Sequence, residues 1–208
     1  MLDIIGAPIG LYATNCYIIT DTVTGLSAAA DCAVFNTDFE RLLRRACVEK
    51  LEYILLTHGH FDHICGVKDL KEKYGGKICI SEADAACLSD EYKSLNARMG
   101  FAEQGLTEAD ILLHDGDIIT LGETKINVLA TPGHTAGSVC FVTDNEIFSG
   151  DTLFRLSVGR TDLPGGNGRN LMNSLKKIAE ITGERRVYPG HGGSTLLSFE
   201  KENNSFMR

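Results

Sequence analysis

The sequence predicts an α+β fold, and two observations support this prediction. Short apolar runs rich in β-branched residues recur along the chain, as in strands of mostly buried sheets, and between them apolar residues recur at helical spacing. Two sheets whose outer faces are each covered by helices would give a four-layer αββα sandwich, although a single mixed sheet satisfies the same pattern. No stretch rich in proline, serine or like charges divides the chain, so we expect one domain over residues 1–208.

The predicted elements follow in chain order. The runs that predict strands are Cys16–Ile19, Tyr53–Leu56, Ile78–Ile80, Ile126–Leu129, Val139–Val142 and Glu146–Phe148. The sets that fall on one helical face are Phe39, Leu42, Leu43, Ala46 and Cys47; Val67, Leu70 and Tyr74; and Leu171, Leu175 and Ile178. The stretch from Leu88 to His114 breaks this rhythm with Gly100 and Gly105. We interpret it either as a cap over a cleft or as a surface excursion that joins two strands.

Charge and cysteine usage narrow the class of partner. A formal net charge of -8 opposes binding to nucleic acid or to an anionic membrane, and no run approaches the roughly 20 apolar residues that span a bilayer. The first residues carry Asp3 instead of a positive region, so no export signal is expected. Seven cysteines without a C-x-x-C pair indicate reduced thiols and not a disulfide framework or a zinc finger. We therefore expect a cytoplasmic protein that acts on a small molecule.

The strongest functional signal is the segment Thr57–His63, which reads THGHFDH between a predicted strand and a predicted helix. In an extended segment alternate side chains face the same way, so His58, His60 and Asp62 can converge while the turn into the helix brings His63 round. Three imidazoles and a carboxylate at this spacing indicate a metal site.

Three further segments place a histidine or an aspartate beside turn residues after a strand-like run. They are TPGHT around His134, SGDTLF around Asp151 and YPGHG around His191. Each alone is ordinary turn chemistry, but together with the first segment they contain five of the six histidines. The sixth, His114, is assigned to an ordinary loop.

This order of motifs resembles the metallo-β-lactamase superfamily, whose H-x-H-x-D-H motif and later His, Asp and His correspond to positions 58 to 63, 134, 151 and 191. The resemblance covers nearly the whole chain and implies an αββα sandwich with the site between the edges of its two sheets. It also implies a supporting aspartate at Asp31, for which a turn or helix-capping role is the alternative. The implied ligands are His58, His60 and His134 for one metal, Asp62, His63 and His191 for the other, and Asp151 as the bridge.

Within the superfamily the chain resembles the glyoxalase II group, especially its compact single-domain members. The strings that carry this resemblance are GDTLF at 150–154, GRTDLPGG at 159–166 and PGHG at 189–192. β-Lactamases of the superfamily usually carry Cys at the position of Asp151, so β-lactam hydrolysis is not the function that we expect. The basic and tyrosine residues with which glyoxalase II enzymes grip glutathione are not matched, and neither is their helical C-terminal domain.

The ligand types permit a defined chemistry. Nitrogen and oxygen ligands without a thiolate suit two divalent metal ions, with zinc as the first expectation and iron or manganese as alternatives. A metal-bound hydroxide is then the expected nucleophile toward an acyl thioester such as S-lactoylglutathione. Asp62 could also orient this hydroxide or shuttle its proton. Arg160 could receive a substrate carboxylate, with a solvated surface position as the alternative.

Three other functions stay open on the sequence. Persulfide dioxygenases share the string Gly159–Asp162 but use a single iron, so a count of two metals would argue against that function. A lactone hydrolase would use the same hydroxide to open a cyclic ester. A metal-bound sensing or binding module without turnover is the third, although the complete ligand set weighs against it. No motif specifies an oligomeric state or a native acyl group.

Overall fold

The computed structural model describes residues 1–99 and 105–208 of the chain, and these residues form two six-stranded sheets with helices outside them. Gly100, one of the two glycines that interrupt the stretch from Leu88 to His114, lies outside the described residues. Residues 101–104 lie outside them as well, and the described part of that stretch includes one short helix and one strand, which are given below with the first sheet.

The first sheet takes its strands from the N-terminal half of the chain. Its strands are β1 (Leu2–Ile9), β2 (Thr14–Asp21), β3 (Ser27–Ala30), β4 (Tyr53–Leu55), β5 (Lys77–Ser81) and β6 (Ile111–Leu113), in that spatial order. The first three are antiparallel, and β3 to β6 are parallel. The helices that accompany them are α1 (Thr37–Arg45), α2 (Phe61–Ile64), α3 (Val67–Tyr74), a 3-10 helix (Glu82–Leu88) and α4 (Asn96–Met99).

The second sheet follows in the C-terminal half. Its strands are β7 (Ile118–Leu121), β8 (Thr124–Ala130), β9 (Val139–Val142), β10 (Glu146–Gly150), β13 (Arg186–Pro189) and β14 (Thr195–Leu196). Their spatial order is β14-β13-β10-β9-β8-β7, and β10 and β13 are its parallel pair. A separate hairpin of β11 (Leu153–Phe154) and β12 (Ser157–Val158) follows β10, and the helices are α5 (Gly168–Glu180) and α6 (Leu197–Asn203).

Alternation along the strands explains why the two sheets pack face to face. In β2, Ile18 packs with the cluster under α1 and α3, whereas its neighbour Ile19 packs in the cluster between the sheets. Ile54 and Leu55 divide in the same way in β4, and Phe141 of the second sheet faces the inner cluster. Both faces of these strands are therefore buried, which is why they appear in the sequence as continuous apolar runs. The arrangement is the αββα sandwich and not the single mixed sheet.

The predicted elements match the structure except at one helix end. All six predicted strands and all three predicted helices are present. The face assigned to the first helix extends too far, because α1 ends at Arg45 and Cys47 is exposed with a left-handed backbone φ of 54°. A residue in that conformation cannot continue a right-handed helix.

Two further properties bear on the class of protein. Among residues 1–99 and 105–208, no helix has both the length and the apolar character needed to cross a membrane. All seven cysteines fall within these residues and are free thiols, four of them buried. The expectation of reduced thiols therefore agrees with the structure.

Candidate metal centre

The seven predicted ligands lie together where strands of both sheets end. His58 and His60 follow β4, and Asp62 and His63 lie in the first turn of α2. The remaining ligands come from the second sheet, with His134 after β8, Asp151 after β10 and His191 after β13. Their ligand atoms form three overlapping groups within 4.8 Å, which are His58, His60 and His134; His58, His63 and Asp151; and Asp62, His63 and His191. Each sheet thus supplies part of one site.

The first group presents three ring nitrogens to one point. His134 donates from Nδ1 to the carbonyl oxygen of Arg160 at 2.8 Å, which leaves its Nε2 to face the cluster. That Nε2 lies 2.8 Å from Nδ1 of His60. His58 contacts the hydroxyl of Thr57 through Nδ1 at 3.1 Å, and its buried Nε2 has no hydrogen-bond partner. The hydrogen bonds on the outer nitrogens of His134 and His58 therefore leave their inner nitrogens facing a shared point, where they could hold a metal ion.

The second group places a carboxylate between two imidazoles. Oδ2 of Asp62 lies 3.3 Å from Nε2 of His191 and 3.8 Å from Nε2 of His63. His63 is fully buried, whereas His191 is partly open to solvent. The group therefore has one enclosed side and one side from which a ligand can enter.

Asp151 lies between the two groups. Its Oδ2 is 3.5 Å from Nε2 of His134 in the first group and 3.5 Å from Nε2 of His191 in the second. Its Oδ1 is 3.5 Å from Nε2 of His63 and is buried without a hydrogen-bond partner. One carboxylate therefore faces ligand atoms of both groups, as a bridging ligand must. Gly190 permits this approach, because a Cβ there would lie 2.2 Å from Oδ1 of Asp151.

Asp31 lies behind His63. It is buried, and its carboxylate accepts hydrogen bonds from the amide of Thr57 at 2.8 Å, the hydroxyl of Thr57 at 2.8 Å and Nδ1 of His63 at 2.7 Å. Because Nδ1 of His63 donates to this carboxylate, its Nε2 is left to face the cluster. Of the two roles that the sequence leaves open for Asp31, the contact corresponds to the supporting one.

Asp84 is a buried residue of the site that sequence reasoning missed. Its carboxylate accepts from the amide of Gly59 at 2.9 Å, the hydroxyl of Thr135 at 2.7 Å and the amide of Gly137 at 2.8 Å. Asp84 therefore joins the loop that carries His58 and His60 to the loop that carries His134. Its signal in the sequence is weak, because an acidic residue in the first turn of a helix is common for reasons unrelated to a site.

Burial and neighbouring charges shift the pKa values of several residues of the site in opposite directions. Burial, with the positive charge of nearby histidines, lowers the pKa of His58 well below its ordinary value, and burial lowers that of His60 to about 3. Burial also disfavours a charged His63, but the carboxylates around it, Asp31 foremost, outweigh burial and raise its pKa to about 10. The carboxyl of Asp62 is buried as well, yet the facing histidines hold its pKa below the usual range. His58 and His60 are therefore neutral at pH 7, whereas His63 holds a proton.

A cleft of about 450 Å³ opens onto these ligands. Its walls include Phe61, Leu95 and Phe154, so much of the lining is apolar. Arg160 also lines the cleft, but its exposed guanidinium donates two hydrogen bonds to Asp162, at 2.7 and 2.6 Å. The side chain thus has a carboxylate partner from its own loop, and its backbone carbonyl holds His134. The sixth histidine, His114, lies in an exposed turn away from the cluster, as expected for an ordinary loop.

The residues present fit a pair of metal ions. Three buried polar atoms of the cluster, Nε2 of His58, Nε2 of His63 and Oδ1 of Asp151, have no hydrogen-bond partner. Leaving such atoms unpaired costs free energy, and bound cations would satisfy all three. The donor set of imidazoles and carboxylates without thiolate suits zinc, iron or manganese.

The fold and the histidine-rich site together define a metallo-hydrolase. Residues 9–191 match the model of the metallo-beta-lactamase superfamily, and the chain belongs to this family. It is 30% identical to the hydroxyacylglutathione hydrolase GloC of Haemophilus influenzae, and the match covers 96% of this chain and 95% of that protein.

Two solved structures are similar over almost the whole chain. The crystal structure of the BLEG-1 B3 metallo-beta-lactamase has a TM-score of 0.91 and 30% identity, with 99% of each chain covered. That of TTHA1623 in a di-iron-bound form has a TM-score of 0.84 and 32% identity, covering 97% of this chain and 98% of that one. The αββα sandwich is therefore the fold of this family.

Proposed function

We propose that this chain is a binuclear metal-dependent hydrolase of acyl thioesters, S-lactoylglutathione or a related S-acyl compound among them. The observation that carries the proposal is the position of Asp151, whose two carboxylate oxygens face ligand atoms of both histidine groups. The similarity to GloC supports a thioester as the substrate class. The similarity to a di-iron-bound protein supports two ions, with iron beside zinc and manganese as a candidate.

Two metal ions bound here would supply a water ionised near neutral pH and positive charge for the acyl oxygen as it becomes negative. The other contributions come from the chain itself. Apolar walls such as Phe61 and Phe154 exclude water from the reacting carbonyl. The hydroxyl of Thr14 donates to Oδ2 of Asp62 at 3.3 Å.

The lowered pKa of Asp62 favours one of the two roles expected for it. A carboxylate that stays ionised accepts hydrogen bonds and can orient a nucleophile, but it holds a proton poorly. We therefore assign Asp62 the orienting role in preference to that of a proton shuttle.

The proposal is tested by metal analysis together with thiol release. We expect two metals per chain in protein purified without chelator, and metal-dependent thiol release from S-lactoylglutathione or from another member of an S-acyl thioester panel. His134→Ala should lower kcat/KM by at least about 100-fold because an ion loses a ligand. His114→Ala is the matched control, since that histidine is exposed outside the cluster.

Two results would change the proposed function. Metal-loaded protein that releases no thiol from any thioester would overturn it. A single iron per chain with oxygen consumption on glutathione persulfide would favour a dioxygenase.

A β-lactam is a second candidate substrate, because the chain is similar to a B3 metallo-beta-lactamase over almost its whole length. The same hydroxide chemistry would open a β-lactam ring. Hydrolysis of a chromogenic cephalosporin, compared with thioester hydrolysis as kcat/KM on one preparation, ranks the two substrates. A larger kcat/KM for the cephalosporin would displace the thioester.

A further inference from the structure

A small cavity of about 160 Å³ lies beside the cleft of the metal centre. Tyr12, Phe61 and Asp62 line both spaces, so the cavity and the cleft share a wall. The rings of Tyr12 and Phe61 meet edge to face with centroids 5.3 Å apart. Asp62, one of the candidate ligands, therefore borders both the cavity and the cleft.

The lining of this cavity is apolar. Ile9, Leu11, Ala33 and Val34 contribute to it from the β1–β2 hairpin and from the loop after β3. The hydroxyl of Thr14 donates to Oδ2 of Asp62 at 3.3 Å. The thiol of Cys65, which also lines the cavity, donates to Oδ1 of Asn96 at 3.7 Å. The group that fits is therefore apolar.

The volume sets the size of that group. A cavity of about 150 Å³ lined by aliphatic and aromatic side chains accepts benzene, so about 160 Å³ suits a group of about six carbons. The cleft, at about 450 Å³, is nearly three times as large. In a thioester the acyl chain and the sulfur of the carrier are both bonded to the reacting carbon, and a carrier such as glutathione is larger than a chain of about six carbons. The small cavity therefore matches the acyl group and the cleft matches the carrier.

We propose that this cavity is an acyl-chain subsite, which takes an aliphatic or phenyl group of about six carbons attached to the carbonyl under attack. The inference rests on the proposed function, and it makes the substrate an acyl thioester more apolar than a lactoyl ester. Val34 is the residue with which to change the subsite, because it is half-buried and its Cγ1 approaches the hairpin turn at Gly10.

The test uses metal-loaded full-length protein and S-acyl-N-acetylcysteamine thioesters with acetyl, butyryl, hexanoyl, octanoyl and decanoyl groups. We expect kcat/KM to rise about fourfold per added methylene up to hexanoyl or octanoyl, and then to stop rising. Val34→Phe fills the cavity and should lower the hexanoyl-to-acetyl ratio of kcat/KM by about tenfold or more. Val34→Ala enlarges it and should raise the octanoyl-to-hexanoyl ratio.

Val48→Phe is the matched control, because Val48 is also half-buried against the same core cluster but lies outside the cavity. This variant should keep the wild-type ratios. A second measurement, independent of turnover, follows the NMR shifts of the Val34 methyl groups during titration with hexanoate or acetate. We expect saturable shifts with hexanoate only.

The outcomes separate the two proposals. Hydrolysis that does not depend on acyl length, or ratios that Val34→Phe and Val34→Ala leave unchanged, would overturn the subsite and leave the thioesterase function standing. Absence of hydrolysis for every member of this series and for S-lactoylglutathione would overturn the proposed function. In that case the subsite is decided by the NMR titration, and methyl shifts that do not respond to hexanoate would overturn it too.

Discussion

Asp31 holds His63 in the orientation that a metal ligand needs. The residue has a left-handed φ of 57°, a conformation that Asp and Asn tolerate better than most other residues. Its carboxylate contacts Thr57 with both oxygens and Nδ1 of His63 with one of them. Asp31 therefore combines backbone strain with three hydrogen bonds directly behind His63. We expect its replacement to lower metal affinity more than it lowers the stability of the fold.

We predict that Asp31→Asn weakens metal binding at the Asp62–His63–His191 group by about 10- to 100-fold. Asparagine keeps the shape and tolerates the backbone angle, but an amide is a weaker acceptor for His63 than a carboxylate. Chelator competition on purified protein measures the loss. Asp21→Asn replaces another buried aspartate, which lies at the opposite end of β2 from Thr14, the residue of that strand that contacts Asp62, and it should leave metal affinity unchanged. Equal metal affinity in Asp31→Asn and wild type would contradict this role.

Sequence reasoning succeeds at the residue scale where the signal is local. Four candidate ligands lie within six residues at 58–63, so their convergence follows from strand and helix geometry alone. Asp84 could not be found in this way, because its partners Gly59 and Gly137 lie 25 and 53 residues away. Arg160 contacts the candidate ligand His134 through its backbone carbonyl oxygen. Because every residue has such an oxygen, the residue type could not predict this contact.

Whether a strand can be predicted from the sequence depends on how its two faces are buried. Strands buried on both faces, such as β9 (Val139–Val142), produce apolar runs that predict them. Strand β1 was missed because it alternates between exposed and half-buried positions and contains Gly6 and Pro8, which are unfavourable in strands. Strands of two residues, such as β11 and β12, are too short to show the alternation of apolar and polar residues that predicts a strand.

The 3-10 helix at Glu82–Leu88 connects loops from both sheets through Asp84. Gly59 follows the first sheet's β4, whereas Thr135 and Gly137 follow the second sheet's β8. The same contact leaves no room for side chains, because a Cβ on Gly137 would lie 2.5 Å from the carboxylate of Asp84. One buried carboxylate therefore sets the distance between the loop that carries His58 and His60 and the loop that carries His134.

We predict that Asp84→Ala lowers the free energy of unfolding by about 3 kcal/mol, because two buried amides lose their acceptor. It should also weaken metal binding at the His58–His60–His134 group. Urea unfolding and metal analysis measure the two effects. Glu82→Ala, an exposed acidic residue in the same short helix, is the matched control and should change stability by less than about 0.5 kcal/mol. If the two variants were equally stable, the connecting role would be wrong.

At the scale of the whole molecule, the metal centre spans the edge where the two sheets meet. The choice between a sandwich and a single mixed sheet could not be made from periodicity, because apolar spacing does not record which strands pair. Strands β10 and β13, for example, pair although α5 lies between them in the sequence, and their apolar spacing does not reveal this pairing. The ligands after β10 and β13 therefore meet those after β4 only through the tertiary fold.

Because both sheets contribute ligands, bound metal should stabilise the whole domain. At a free metal concentration about 1,000 times Kd, each ion adds about 4 kcal/mol, which raises Tm by on the order of 10 °C for a domain of this size. The gain should depend on pH. His63, with its pKa near 10 in the metal-free protein, must release its proton before it binds an ion, so affinity at its group rises with pH.

The direction of this pH dependence follows from the proton on His63. Protonated His63 stabilises the metal-free fold fully below its ordinary pKa of 6.5, and this contribution is lost as the pH rises toward 10. The stability difference between loaded and chelated protein should therefore grow by about 1.4 kcal/mol per pH unit from pH 6 to 8. Urea unfolding of both forms, with free metal held by a metal buffer, measures it. A difference that is constant or shrinks over this range would mean that His63 is neutral before the metal binds.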